Sequence, residues 1–165
     1  MSDVLFNIVI TGAVNLVFTL VAIRLVDRLG RKPLMLAGSA GLAVAFGLIG
    51  AGYAAGSRGL HILVLVVIAM ALYALSLAPV TWVLLSEIFP NRIRGAAMSV
   101  STFSLWSACF ILTYTFPLLN QGLGPAGTFS IYAGISVFGF IFIKSRVRET
   151  KGKTLEEIER ELAGR

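Results

Sequence analysis

Charge is what this chain mostly lacks. The 49 residues between Arg94 and Lys144 contain no Asp, Glu, Lys, Arg or His, and only 13% of the 165 residues are charged. Residues 4–23 and 33–57 are equally free of charge, and residues 59–86 hold only His61 as a titratable group. An aqueous domain could not cover its surface with so few polar side chains. There is one histidine and one cysteine, Cys109, and no acid falls within a long apolar run. No Ser/His/Asp set, no paired carboxylates and no metal spacing can be assembled from that inventory, so neither an enzyme nor a metal or cofactor site is expected. A single cysteine allows no internal disulfide and leaves the redox compartment open.

Apolar length is what the chain has in abundance. Hydrophobic residues make up 57% of it and the mean hydropathy is +0.88. A membrane-spanning helix needs about 20 apolar residues at 1.5 Å each to cross a core of roughly 30 Å. Each charge-free run therefore spans once, except the longest, where Asn120, Gly122, Gly124, Pro125 and Gly127 interrupt the apolar pattern with helix breakers. Five spans follow, over residues 4–26, 33–54, 60–85, 96–119 and 127–143. The first lacks a basic leader and is too long for a signal-peptide core, so it counts as a span.

The net charge of +6 does not point to nucleic acid, because of where the basic residues sit. Thirteen of the 14, all but Arg58, fall at the inner end of span one, in the loops after spans one and three, or in the tail. That bias places those loops and the C-terminus in the cytoplasm and the N-terminus outside. An odd number of spans beginning outside reads as an incomplete bundle. In the tail, Thr154 and Glu157 form a capping box, and Leu155, Ile158 and Leu162 line one face, which predicts a short cytoplasmic helix.

Inside the bilayer, chemistry is left to amide, hydroxyl and indole groups, which can hydrogen-bond a neutral polar molecule without placing charge in hydrocarbon. Asn15, Trp82 and Trp106 stand at compatible depths. Pro79, three residues before Trp82, removes a backbone donor and kinks its helix, freeing the carbonyl near Leu75. An indole offers an apolar face and one N–H, a combination that suits a pyranose ring. Asn15 reads equally well as glue between helices, and either Trp as packing. Ser76, Thr81, Ser104 and Thr113 are expected to bond back to their own helix, and Tyr73 is a gate or a packing residue.

A second constellation gathers at the charged ends. Asp27 and Glu87 each sit at a helix C-terminus, where a carboxylate is disfavoured by the dipole unless cations stand close. Arg28, Arg31 and Lys32 follow the first, Arg92 and Arg94 the second. Cross-pairing between these groups would clamp the helix ends and could release them, which makes a conformational latch.

Three segments carry a specific resemblance: DRLGRKPL after span one, PVTWVLLSEIFPNRIRG at the end of span three, and RETKGKTLEEIE after span five. In this order and spacing they resemble the sugar porter family of the major facilitator superfamily, over essentially the whole chain. The resemblance implies an all-α membrane protein matching helices eight to twelve of twelve: a five-helix transmembrane portion over residues 1–147, with a cytoplasmic tail from 148 to 165, and the N-terminal half of the transporter as a missing partner. It implies a monosaccharide substrate, hexose, pentose or polyol, with protons as a second partner in the family's symporters. Asn15 resembles an amide that hydrogen-bonds sugar hydroxyls, Trp82 the tryptophan beneath the sugar and Trp106 one lining the cavity. Asp27, Arg31, Glu87 and Arg94 resemble a cytoplasmic charge network, which Glu149 joins. Departures are Ala78 where Gly is usual, Leu105 and Cys109 at commonly polar positions, and Arg148 where Pro is expected. A transporter of the superfamily for a non-sugar substrate, or a truncated membrane partner protein, stands as the alternative.

Overall fold

The computed structural model describes residues 2–57, 59–152 and 157, with backbone alone for 2–8, 10, 11 and 14. Arg58 and the tail helix expected over 154–162, Glu157 excepted, lie outside the described residues. Among the described residues five helices follow one another: α1 (Ser2–Leu29), α2 (Arg31–Ala54), α3 (Leu60–Leu75), α4 (Leu77–Ile88) and α5 (Arg94–Arg146). No strand occurs among the described residues. Among the described residues, three stretches, Arg31–Ala54, Leu60–Ile88 and Arg94–Arg146, are long and apolar enough to cross a membrane.

The longest of these is a hairpin. In a continuous helix Leu112 and Tyr132 would stand about 30 Å apart. Here the Tyr132 hydroxyl donates to the Leu112 carbonyl at 3.4 Å, and the rings of Phe116 and Tyr132 stack with centroids 6.2 Å apart. The reversal takes place at Gly124, at φ 69° and ψ 174°, a backbone conformation that side-chain-bearing residues rarely adopt. Pro125 opens the returning arm, where its missing N–H costs nothing. The loop expected across residues 120–126 is thus reduced to one residue, and both arms of α5 run helically up to it.

Span three also departs from a continuous kinked helix. Pro79 cannot donate to the Leu75 carbonyl, and its ring crowds that oxygen. The chain responds by ending α3 at Leu75 and turning non-helical at Ser76 (φ −125°, ψ −81°), so that Pro79 falls in the first turn of α4. Ser76 N bonds the Tyr73 carbonyl at 3.3 Å, and Val80 N bonds the Ser76 carbonyl at 3.2 Å, so little backbone bonding is lost at the joint. With α3 and α4 taken as one rod and the arms of α5 as two, five rods stand side by side.

α2 is the centre of the bundle because its small residues let neighbours approach on two sides. A Cβ on Gly38 would overlap the side chain of Ser76, and one on Gly50 would lie 3.0 Å from Ser130 Oγ on the returning arm of α5. Between these points Phe46 meets Phe129 and Tyr132, and beyond Gly50 Tyr53 stacks on Phe129 at 5.9 Å. Near the charged end, Val26, Leu34, Met35, Val80, Leu84 and Ile143 close one buried cluster across α1, α2, α4 and α5. Elsewhere large apolar side chains such as Leu63, Phe103, Phe110 and Phe138 are exposed, which suits lipid or further helices and not water. The chain is a multi-pass membrane protein.

Candidate functional site

Alternation of the rods brings the C-termini of α1, α4 and α5 and the N-terminus of α2 to one end, where a compact polar site forms. Arg31, the first residue of α2, reaches Glu87 near the end of α4 with both arms of its fork: Nη2 to Oε1 at 2.8 Å and Nε to Oε2 at 3.2 Å. Such bidentate pairs are the strong form of ion pair, and this one is mostly shielded, with side-chain exposures of 15% and 23%. Thr150, itself buried, donates its hydroxyl to Glu87 Oε2 at 2.5 Å. The carboxylate that the dipole of α4 disfavours is thereby held by three donors.

Glu149 does something different. Its carboxylate accepts the backbone N–H groups of Arg31 (2.9 Å) and Lys32 (3.0 Å), capping the N-terminus of α2 from 118 and 117 residues away. It also accepts those of Thr150 (3.1 Å) and Lys151 (3.0 Å). Gly30, the N-cap of α2, offers no side-chain cap of its own, so the helix borrows one from the tail. Partial burial alone would push the carboxyl's pKa up. The four backbone N–H groups that bond the charged form outweigh it and hold Glu149 below its ordinary value of 4.5. Two further bonds tie the tail and the returning arm down: Lys151 Nζ donates to the Arg28 carbonyl at 2.5 Å, and Lys32 Nζ to the Lys144 carbonyl at 3.0 Å.

Of the network residues named from sequence, Arg31, Glu87 and Glu149 meet in this site, and Asp27 touches it at the rim. Asp27 Oδ1 lies 3.7 Å from Arg31 Nη1 with the carboxylate 74% exposed, a geometry that contributes little. Arg94 stands apart. Its Nε donates to the Phe89 carbonyl at 3.2 Å, closing the turn between α4 and α5, and its Nη2 is buried with no partner among the described residues. Arg31 of α2, and not Arg94 just beyond α4, occupies the Glu87 carboxylate, because α2 delivers a guanidinium fork squarely onto it. Thr150 was missed from sequence, and its place directly after Glu149 in the tail motif was the only available signal.

Neither of two cavities brings the mid-span residues together. Asn15 is exposed and accepts the Thr19 hydroxyl at 3.3 Å. Trp82 is 41% and Trp106 63% exposed. Trp106 lines a cleft of about 380 Å³ along the outgoing arm of α5, with Phe103, Ser107 and Phe110. A larger cavity of about 810 Å³ lies between α2, α3 and both arms of α5, lined by Ser39, Phe46, Tyr73, Thr113, Tyr132 and Ser136 among others. None of Asn15, Trp82 and Trp106 lines it. Ser76, Thr81 and Ser104 do bond back to carbonyls of their own rods, at 2.6, 2.6 and 2.9 Å.

Known proteins are similar to this chain in sequence and fold. The D-xylose-proton symporter of Escherichia coli (strain K12) is 38% identical over 161 residues, covering 94% of this chain and 33% of its own length. The glucose transport protein of Synechocystis sp. is 43% identical over 164 residues, covering 91% and 34%. Among solved structures, the major facilitator superfamily proton:xylose symporter XylE bound to 6-bromo-6-deoxy-D-glucose aligns with a TM-score of 0.87 at 38% identity, over 96% of this chain and 35% of that one. The inward-open xylose transporter XylE from E. coli aligns at 0.84 with 40% identity, over 91% and 34%. The chain thus spans about a third of the length of the relatives it matches, and its fold is a partial major facilitator superfamily bundle. The family described as Sugar (and other) transporter matches residues 1–162, nearly the whole sequence, and the chain belongs to it.

Proposed function

We propose that this chain is the helix-eight-to-twelve portion of a transporter that moves a monosaccharide across the membrane by alternating access, with no chemical step. The observation that carries the reading is the polar site at one end: Arg31 and Thr150 hold Glu87 while Glu149 caps α2, so that α2, α4 and the tail are bound together by groups that can part without breaking a covalent bond. In an alternating-access cycle one face of the bundle closes while a midplane site opens to the other. The relatives' substrates, xylose and glucose, support a hexose, a pentose or a related polyol. Asn15, Trp82 and Trp106 are the proposed sugar contacts, completed by helices upstream, and Pro79 sets the joint that aims Trp82.

The charged end faces the cytoplasm in this reading, since Arg28, Arg31, Lys32, Arg92, Arg94 and Lys144 all gather there. The protein resides in the plasma or inner membrane, with its C-terminus in the cytoplasm and the N-terminal half as its partner. Protons are a second substrate if that half carries a coupling acid. Reconstituting the whole transporter in liposomes and measuring counterflow of labelled xylose, glucose, arabinose and inositol tests the proposal. Saturable counterflow of at least one is expected, and competent protein that exchanges none of them would overturn it.

A further inference from the structure

Gly38 of α2 faces the joint between α3 and α4. A Cβ built on it would overlap the Ser76 hydroxyl and stand 2.5 Å from Ser76 Cβ, while one on Gly41, about a turn further along α2, would stand 2.9 Å from a terminal methyl of Leu72. The two glycines therefore receive two side chains of the neighbouring rod. They differ in what they receive. Leu72 offers the far end of a flexible side chain, which can turn aside. Ser76 offers its own Cβ, one bond from the backbone, so it moves only if the joint moves with it. The Ser76 hydroxyl is spent on its own rod, donating to the Leu72 carbonyl at 2.6 Å, so Ser76 meets Gly38 through van der Waals contact. Such a contact has no preferred direction, and α4 can tilt about it without breaking a hydrogen bond to α2 at that point.

We propose, resting on the alternating-access reading above, that Gly38 is a positioning residue for transport: its missing side chain seats Ser76 and makes that point the fulcrum about which α4, with Trp82 on it, tilts against α2. Three observations converge on that point. The backbone of Ser76 is non-helical, so α4 is not locked in line with α3. Gly38 and Ser76 are both buried, so neither water nor lipid cushions the contact. The nearest atom of Ser76 that cannot rotate away, its Cβ, already fills the room a side chain at residue 38 would need. Length turns a small tilt into a useful displacement: at about 1.5 Å per residue Trp82 stands roughly 9 Å from Ser76, so a tilt of about 10° carries it roughly 1.6 Å. A fulcrum pushed outward by a methyl group would move that arc as a whole and raise the barrier to crossing it.

The test compares the seat of Ser76 with that of Leu72 in the whole transporter reconstituted in liposomes. Gly38→Ala drives a methyl against Ser76 Cβ and is expected to slow maximal sugar exchange about ten-fold, with sugar affinity changed less. Gly41→Ala crowds only the flexible end of Leu72 and should keep the exchange rate within about two-fold of the parent, whatever it does to the melting temperature. Adding Ser76→Gly to Gly38→Ala moves the methyl from one side of the contact to the other and should recover most of the lost rate. Should Gly38→Ala fail to fold, Ser76→Thr enlarges the knob instead of filling the seat, and the same slowing is expected. Parental exchange in Gly38→Ala, equal slowing in Gly41→Ala, or a double variant no faster than Gly38→Ala would each overturn the fulcrum and assign Gly38 to interface packing, with the transport reading intact. A parent that exchanges no sugar overturns that reading and the fulcrum with it.

Discussion

A Cβ placed on Gly30 would stand 2.8 Å from Oε2 of Glu149, so the turn between α1 and α2 has room for that carboxylate only because residue 30 has no side chain. The same glycine sits at φ 96°, a left-handed conformation costly for any other residue. Turn and tail are therefore matched: one leaves a hole and the other fills it with a charge that completes α2. Replacing Gly30 by Ala should incur both the backbone strain and the displacement of Glu149, on the order of 1–3 kcal/mol. A lowered melting temperature of the purified transporter is the expected reading, and parental stability would show that the turn adapts freely.

The latch predicts an asymmetry between two arginines. Arg31 holds Glu87 bidentately, whereas Arg94 bonds a backbone carbonyl. Glu87→Gln and Arg31→Ala should both raise the inward-open population, by roughly ten-fold for a shielded charged bond. Arg94→Ala should act less on that population and more on the stability of the 89–94 turn. Fluorescence quenching of a reporter at the charged end, compared across the three variants, checks the order.

Glu149 gives the protein a defined acid sensitivity. Its folded-state pKa lies below the ordinary 4.5, so its contribution to stability is complete above that value and is lost as the pH falls through the lower, folded value. Melting temperatures of the parent and Glu149→Gln should differ most at neutral pH and converge in acid below 4.5. A gap that stays constant down to that range would mean that the four N–H groups do not favour the ionised form.

The proposed sugar contacts rank differently by chemistry. Asn15→Ala removes one or two hydrogen bonds to a neutral partner, each worth roughly 0.5–1.5 kcal/mol, so several-fold weaker binding is expected. Trp82→Ala removes ring area as well as an N–H and should weaken binding more. Sugar affinity measured by calorimetry on expression-matched protein decides, and parental affinity in Trp82→Ala would return that residue to packing.

Topology offers the simplest check. Single cysteines near Gln121, at the uncharged end, should react with an impermeant maleimide added to intact cells, and cysteines at Lys32 or Arg92 should not. Labelling at Lys32 from outside would invert the orientation.

The rods were legible because their causes are local. Charge-free runs of 20 residues or more force a membrane helix whatever surrounds them, and Gly124 followed by Pro125 can reverse a helix without help from elsewhere. Where the breaks fall was less legible: Pro79 announced a disturbance, but its placement at Ser76 depended on Gly38 of α2 making room for that side chain. Sequence could name Asp27, Arg31, Glu87, Arg94 and Glu149 as charges at one membrane face. It could not say which would meet. Arg31 lies 56 residues from Glu87, and Thr150 lies 63 residues beyond it. Their contact exists because α2 and the returning arm of α5 pack through small residues and deliver both to the end of α4. Arg94, seven positions from Glu87 in the chain, gives its Nε to the Phe89 carbonyl instead. Local chemistry determined that this chain lives in a bilayer; only packing between distant segments decided which cation and which hydroxyl close its charged end.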